Sequence, residues 1–166
     1  VRSIPDPGFS GDDGRPDAAV VAALSAYDVD PRDRGRGLAV LAALQDSRVL
    51  VPVVAVAGET ETNAAGLTQE KTTDMAAVLL RGRGGRQALL AFSGLERLHA
   101  WDPQARPVPV SLPDAARSAQ QNSADALVLD VAGPVTFVLE AEQLRPLAEG
   151  MRLLRLADGG WGWATG

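Results

Sequence analysis

The residues able to do chemistry are few, and they set the first limits. His99 is the only histidine, and the sequence has no cysteine. Glu96 and His99 are spaced i, i+3, and Asp102 follows closely, so a helix could present two metal ligands on one face. One imidazole without a thiolate falls short of the ligand set that zinc needs, so the expected metal site is none. As a general base His99 would need a nucleophile and an orienting carboxylate brought from elsewhere in the chain. Ser93 stands in Phe92-Ser93-Gly94, without the preceding glycine of a nucleophile elbow. Its more natural work is as an N-cap, with Glu96 three residues on completing a capping box. No catalytic residue is assigned.

Other clusters read as structural first. Arg81-Gly82-Arg83-Gly84-Gly85-Arg86 is the most basic stretch. Glycine-rich amides with arginines could cradle a phosphate, but the residues that follow, Gln87 to Phe92, read as a strand where a phosphate loop would open a helix. A solvated hairpin turn is expected. Asp6, Asp12, Asp13 and Asp17 lack the alternation and closing glutamate of a calcium loop, and read as an acidic arm. Asp125 and Asp130 flank an apolar strand and are expected to solvate or cap turns. Trp101, Trp161 and Trp163 are three of seven aromatic side chains. Trp161 and Trp163 sit two apart, hence on one strand face, where they could meet a protein partner.

Composition narrows the classes further. The 166 residues are 46% hydrophobic, 22% charged and 4% aromatic, enough aliphatic content for a real core and too little charge for a disordered tail. The net charge is −5 and Lys71 is the only lysine, so no global positive field exists to attract nucleic acid. No apolar run approaches the ~20 residues of a spanning helix. The first residues carry no apolar leader core, and a cytoplasmic protein without a cofactor is expected.

The elements that position these residues follow from breakers and periodicity. Residues 1–16 hold Pro5, Pro7 and Pro16 with Gly8, Gly11 and Gly14, breakers too dense for a helix or strand; an extended arm is expected there, anchored by Ile4 and Phe9, ahead of a single domain over 17–166. Asp17 caps a helix carrying Val20, Val21, Leu24 and Tyr27. A second helix is expected to start at Asp30-Pro31 and to carry Leu38, Leu41 and Leu44. Val49–Val56 is a strand apolar on both sides, with Pro52 marking an edge or bulge. Gly58–Lys71 reads as a long loop. Met75–Leu80 and Gln87–Phe92 form a hairpin across the arginine loop. A short helix runs from Ser93 to about Ala100, a short strand covers Pro107–Val110, and Ser111 caps a helix with a small face of Ala115, Ala116 and Ala119. Ala126–Val131 and Pro134–Leu139 flank a tight turn at Ala132-Gly133. Glu140–Gly150 is helical, interrupted by Pro146, and Met151–Leu156 with Trp161–Trp163 makes a last hairpin. Three hairpins with interspersed helices exclude a doubly wound sheet and a sandwich. The fold expected is α+β: a single mixed sheet with hairpins, packed by several short helices.

Ile4-Pro-Asp-Pro-Gly-Phe-Ser10, Leu50-Val-Pro-Val-Val54 and Glu70-Lys-Thr-Thr-Asp-Met75 resemble actinobacterial members of the SseB family. So do Ala91-Phe-Ser-Gly-Leu-Glu96, Ala100-Trp-Asp-Pro103, and the helix and Asp125–Leu139 hairpin after them. The resemblance covers nearly the whole chain and matches the family's N-terminal domain, which longer relatives follow with a further domain. The family name comes from an enhanced serine sensitivity phenotype, and the resemblance brings no catalytic residue or cofactor with it. The function expected is therefore a non-enzymatic module that binds a protein or peptide through a sheet edge or the Trp161/Trp163 patch, with Trp101 as a further contact. An open edge would equally serve pairing between two copies. The alternative is a small-molecule site for an amino-acid-related zwitterion, held by Lys71, Asp74 and arginines. A hydrolytic enzyme stands third, since it would need a pocket gathering His99 with distant carboxylates.

Overall fold

The computed structural model describes residues 9–57, 60–62, 68–70 and 73–166, with side chains described outside 54–76. Two helices come first. In α1 (Ala18–Val29) the Asp17 carboxylate accepts the amides of Ala19 and Val20, and Val20 and Leu24 are buried. α2 (Arg34–Gln45) starts later than its proline suggests. The N–H of Asp33 donates to the carbonyl of Asp30, so Pro31 takes the second position of a tight turn, and Asp33 is the N-cap. Val40, Leu41 and Leu44 are its buried face.

β1 (Arg48–Ala57) follows, then short strands β2 (Thr60–Thr62) and β3 (Thr68–Glu70), which pair within the stretch expected as loop. β4 (Thr73–Ala77) pairs antiparallel with β1, while β5 (Leu79–Arg81) pairs with β6 (Gln87–Ala91). The apolar run from Met75 to Leu80 thus serves two sheets, switching at Val78, whose carbonyl accepts the Leu90 amide. The arginine loop is a hairpin connection as expected, closed by a single 3₁₀ turn. Gly84 and Gly85 adopt φ +75° and +81° there, a region L side chains rarely enter.

α3 (Leu95–Trp101), β7 (Arg106–Ser111), α4 (Leu112–Gln121), β8 (Ala126–Leu129), β9 (Phe137–Glu140), α5 (Ala141–Ala148), β10 (Met151–Arg155) and β11 (Trp161–Thr165) complete the order. Ser111 caps α4 as its spacing predicts, and Ala115, Ala116 and Ala119 are fully buried. Two local readings are corrected. The Ser93 side chain does not cap α3: Gly94 is the N-cap, and Ser93 Oγ turns instead to Asp130. The tight turn between β8 and β9 spans Asp130–Gly133, one residue ahead of its expected place, and does not join the strands by itself. Asp130 bends the chain at φ +56°, and its carbonyl accepts from Gly133 N–H and Thr136 Oγ1, so residues 130–136 form a longer connection. Pro146 lies inside α5 without ending it.

The molecule is α+β, but its strands divide among sheets of order β4-β1-β7, β5-β6-β8-β9, β10-β11 and β2-β3. A bridge between Leu50 and Phe92 links the first two. β1 is therefore central, where Pro52 was expected to mark an edge or a bulge. Leu50 donates its N–H to Phe92, so the nitrogen of Pro52, two residues on, faces the same side. On that side the bridge has ended and pairing with β4 begins only at Val53. No donor is needed at that point, which is why proline is tolerated. Pro107 and Pro109 sit opposite Pro52 and Leu50, so they occupy the outward positions of β7 and blunt that edge.

Helices α1, α2, α4 and α5 bury one main cluster around Leu41, Leu44, Leu89, Leu127 and Leu139, against which Trp161 and Trp163 also pack. A smaller cluster of Leu50, Leu90, Phe92, Leu98 and Ala105 lies under α3, with Trp101 against it.

Candidate functional site

A groove of about 520 Å³ opens where the starts of α2 and α5 meet β9 and β11. Phe137 and Val138 both line it. Consecutive strand residues point to opposite faces, so a cavity reached by both wraps around the strand's edge. β9 is the edge strand of its sheet.

The polarity of that edge can be worked out. Asp130 donates its N–H to Ala91, so Val128, two residues earlier, also directs its backbone groups toward β6. Val128 and its partner Val138 are then a non-hydrogen-bonded pair, and the N–H and C=O of Val138 point away from β8. Glu140 gives the same answer, because its N–H goes to the Gln143 side chain at 2.9 Å.

β11 supplies a second open edge. The Gln45 side chain bridges Leu153, accepting its N–H at 2.6 Å and donating to its C=O at 3.0 Å. Leu153 thus turns away from its partner Trp163, whose own N–H and C=O face away from β10. Trp163 lines the groove. Two strands therefore each bring one outward-facing peptide group to the same cavity, and no described strand pairs with either on that side.

The walls are aromatic and the rim is charged. Asp33, Arg34 and Glu142 line the groove beside Trp163 and Phe137. Asp33 is engaged as the cap of α2 and faces Arg36 at 3.6 Å. Both helix starts already hold carboxylates, through Asp33 and the Glu140–Gln143 capping box, so their positive ends are satisfied.

The residues singled out by sequence are scattered. His99 is exposed on α3, and none of the described cavities includes it with two acids. Glu96 is exposed beside it, and Asp102 accepts the Gln104 amide in the turn after α3. Among the described residues no group of three His, Asp or Glu is placed to hold a metal. Trp101 is half-buried, its ring 5.7 Å from that of Phe92. Trp161 and Trp163 are half-buried on the inner face of the terminal hairpin, with Arg155 stacked 5.0 Å over Trp161. Lys71 lies outside the described residues. Asp74 pairs through its backbone with Val56 on β1, and its side chain is outside what is described. The groove thus gathers Trp163 from the sequence candidates, together with Phe137, Val138, Asp33, Arg34 and Glu142, which sequence reading missed.

A buried polar cluster lies elsewhere. Ser93 donates its N–H and Oγ to the two carboxylate oxygens of Asp130 at 2.8 and 2.6 Å, and both residues are almost fully buried. Burial pushes the Asp130 carboxyl up, against the opposing pull of the Ser93 hydrogen bonds and Arg97. A serine donating to a carboxylate in a closed interior has neither an imidazole nor access to substrate. Its work is to fix the turn from β8 into residues 130–136.

Fold and site together define an α+β domain with an open groove between two strand edges. The chain belongs to the SseB protein N-terminal domain family, whose description matches residues 20–146, more than half of its length. No curated protein and no solved structure matches it.

Proposed function

We propose that this domain is a cytoplasmic, non-enzymatic binding module that receives an extended peptide segment of a protein partner in the groove beside Trp163. The observation that carries this reading is the convergence of two unpaired strand edges, at Val138 and Trp163, on one cavity. An extended segment entering there gains main-chain hydrogen bonds by strand addition, while Phe137 and Trp163 offer apolar surface to alternate side chains. The Arg48, Ser93 and Asp130 side chains, by contrast, already hold partners within the molecule, whereas the peptide groups at the groove stand open.

The test uses a random peptide library displayed on phage and selected against the protein. Selected peptides are expected to lose binding to Val138→Pro, which removes an outward N–H and no ladder bond, and to Trp163→Ala. Selection of no peptide, or of peptides indifferent to both substitutions, would contradict the reading.

A second reading has one observation in its favour. Arg34 and Glu142 carry opposite charges into the same groove, as the carboxylate and ammonium of an amino acid would require. A thermal-shift screen with serine and related amino acids separates the two, since a ligand at 100 times its dissociation constant stabilises by ~2.7 kcal/mol.

A further inference from the structure

Among the described residues, the segment before α1 makes the most buried ion pair, far in kind from the open groove. Arg48, at the start of β1, is 8% exposed. Its Nε and Nη2 donate to the two carboxylate oxygens of Asp12, the latter at 2.9 Å. Nη2 also donates to the carbonyl of Arg15 at 2.8 Å, and Nη1 to the carbonyl of Ser93 at 2.6 Å. A planar guanidinium taking both oxygens of one carboxylate is a geometry that discriminates in favour of carboxylates. Of these acceptors only Ser93 belongs to the packed body; the others come from residues 12–15.

The same segment is seated by contacts beyond the ion pair. Gly14 accepts the N–H of Leu95 at 2.7 Å. Pro16 lies so close to Gly94 that a Cβ there would meet its Cδ at 2.8 Å and the Gly14 carbonyl oxygen at 3.1 Å. Gly94 has φ −159°, ordinary extended backbone, so the missing side chain serves the passage of the segment. The family match, residues 20–146, takes in Arg48, Ser93, Gly94 and Leu95 and leaves out Asp12, Gly14, Arg15 and Pro16. The receiving half lies within the shared domain; the part that fills it lies outside.

We infer that Arg48, the Ser93 carbonyl, the Leu95 amide and the Gly94 surface form a recognition site for a peptide carrying an aspartate and bending at a glycine two residues on, which residues 12–16 occupy in cis. Such a tether gives its own carboxylate an effective concentration of order mM. A peptide in trans therefore binds measurably once the cis carboxylate is removed.

The full chain carrying Asp12→Ala supplies the test, with formate and a synthetic peptide of residues 9–17 as probes. The thermal midpoint is expected to fall in the variant. Sodium formate should raise it relative to sodium chloride at equal ionic strength, and the peptide should raise it further. The same peptide with Asp12→Asn should bind at least about tenfold more weakly, as loss of a charge-assisted pair implies. Wild type, and the variant combined with Arg48→Met, should respond to neither probe. Should Asp12→Ala fail to fold, Asp12→Asn keeps the shape and takes its place. If neither formate nor the peptide raises the midpoint while Arg48 is intact, the inference is overturned and the pair is a tether alone.

Discussion

The junction of residues 9–17 with the body and the groove beside Trp163 handle polar groups in opposite ways. At the junction, Arg48, Ser93 and Asp130 are withdrawn from water, Asp12 covers Arg48 from the surface, and each is answered by a partner at hydrogen-bond distance. Among the described residues no buried side-chain nitrogen or oxygen lacks a partner. In the groove, the peptide groups of Val138 and Trp163 face outward from their sheets, and Arg34 and Glu142 stand at the rim. Removing a partner from a buried charge is costly, whereas changing an exposed one costs little. The first region should therefore respond to mutation in stability, and the second in binding.

The largest effect should come from the junction. Arg48→Ala leaves the buried Ser93 carbonyl without its donor and releases Asp12 and the Arg15 carbonyl to water, and should lower the unfolding free energy by about 3 kcal/mol, read by urea denaturation. Peptide binding in the groove should survive in the folded fraction. The contrast is sharpest within β9. Leu139→Pro removes an inward ladder donor and a fully buried side chain and should cost at least about 2 kcal/mol, while Val138→Pro should shift stability by under about 1 kcal/mol and abolish peptide binding.

A pH measurement separates the surface Asp12 from the buried Asp130. Arg48 holds the Asp12 carboxyl below its ordinary value, so the stability it contributes is present above an unfolded aspartate's pKa of about 3.9 and is lost as pH falls through the lowered folded value. Asp130 has the opposite sign. Its raised folded pKa makes its contribution complete below the unfolded value and lost as pH rises through the folded one. Asp130→Asn should remove that loss, so the variant gains on wild type between mildly acidic and neutral pH in denaturation midpoints. A gain that instead grows toward acid would contradict the assignment. Smallest of all, Glu142→Gln should change stability by under about 0.5 kcal/mol, its effect confined to binding.

What the sequence made legible follows from how local each feature is. Asp17 and Ser111 read correctly as caps because a cap and the amides it accepts lie within three residues. The terminal hairpin was legible through Asp158-Gly159-Gly160, where Gly159 adopts φ +85°. Ser93 misled because its nearest helix competed with Asp130, a partner far along the chain. Pro52 misled because whether a strand position needs a donor depends on which neighbour pairs at that residue. Within the site, Trp163 was visible as one of a pair at strand spacing. Val138 looks like any core valine, and its outward edge emerges only once β6, β8 and Gln143 fix the register. Arg48 gave no signal in a sequence rich in arginine.

Amide hydrogen exchange at Val138 and Trp163, without and with a peptide selected from the library, tests the two-edge groove most directly. Both amides should exchange rapidly in the free protein, unlike Leu139 beside them, and both should become protected when the peptide binds. Strong protection of either amide in the free protein, or no change on binding, would contradict it.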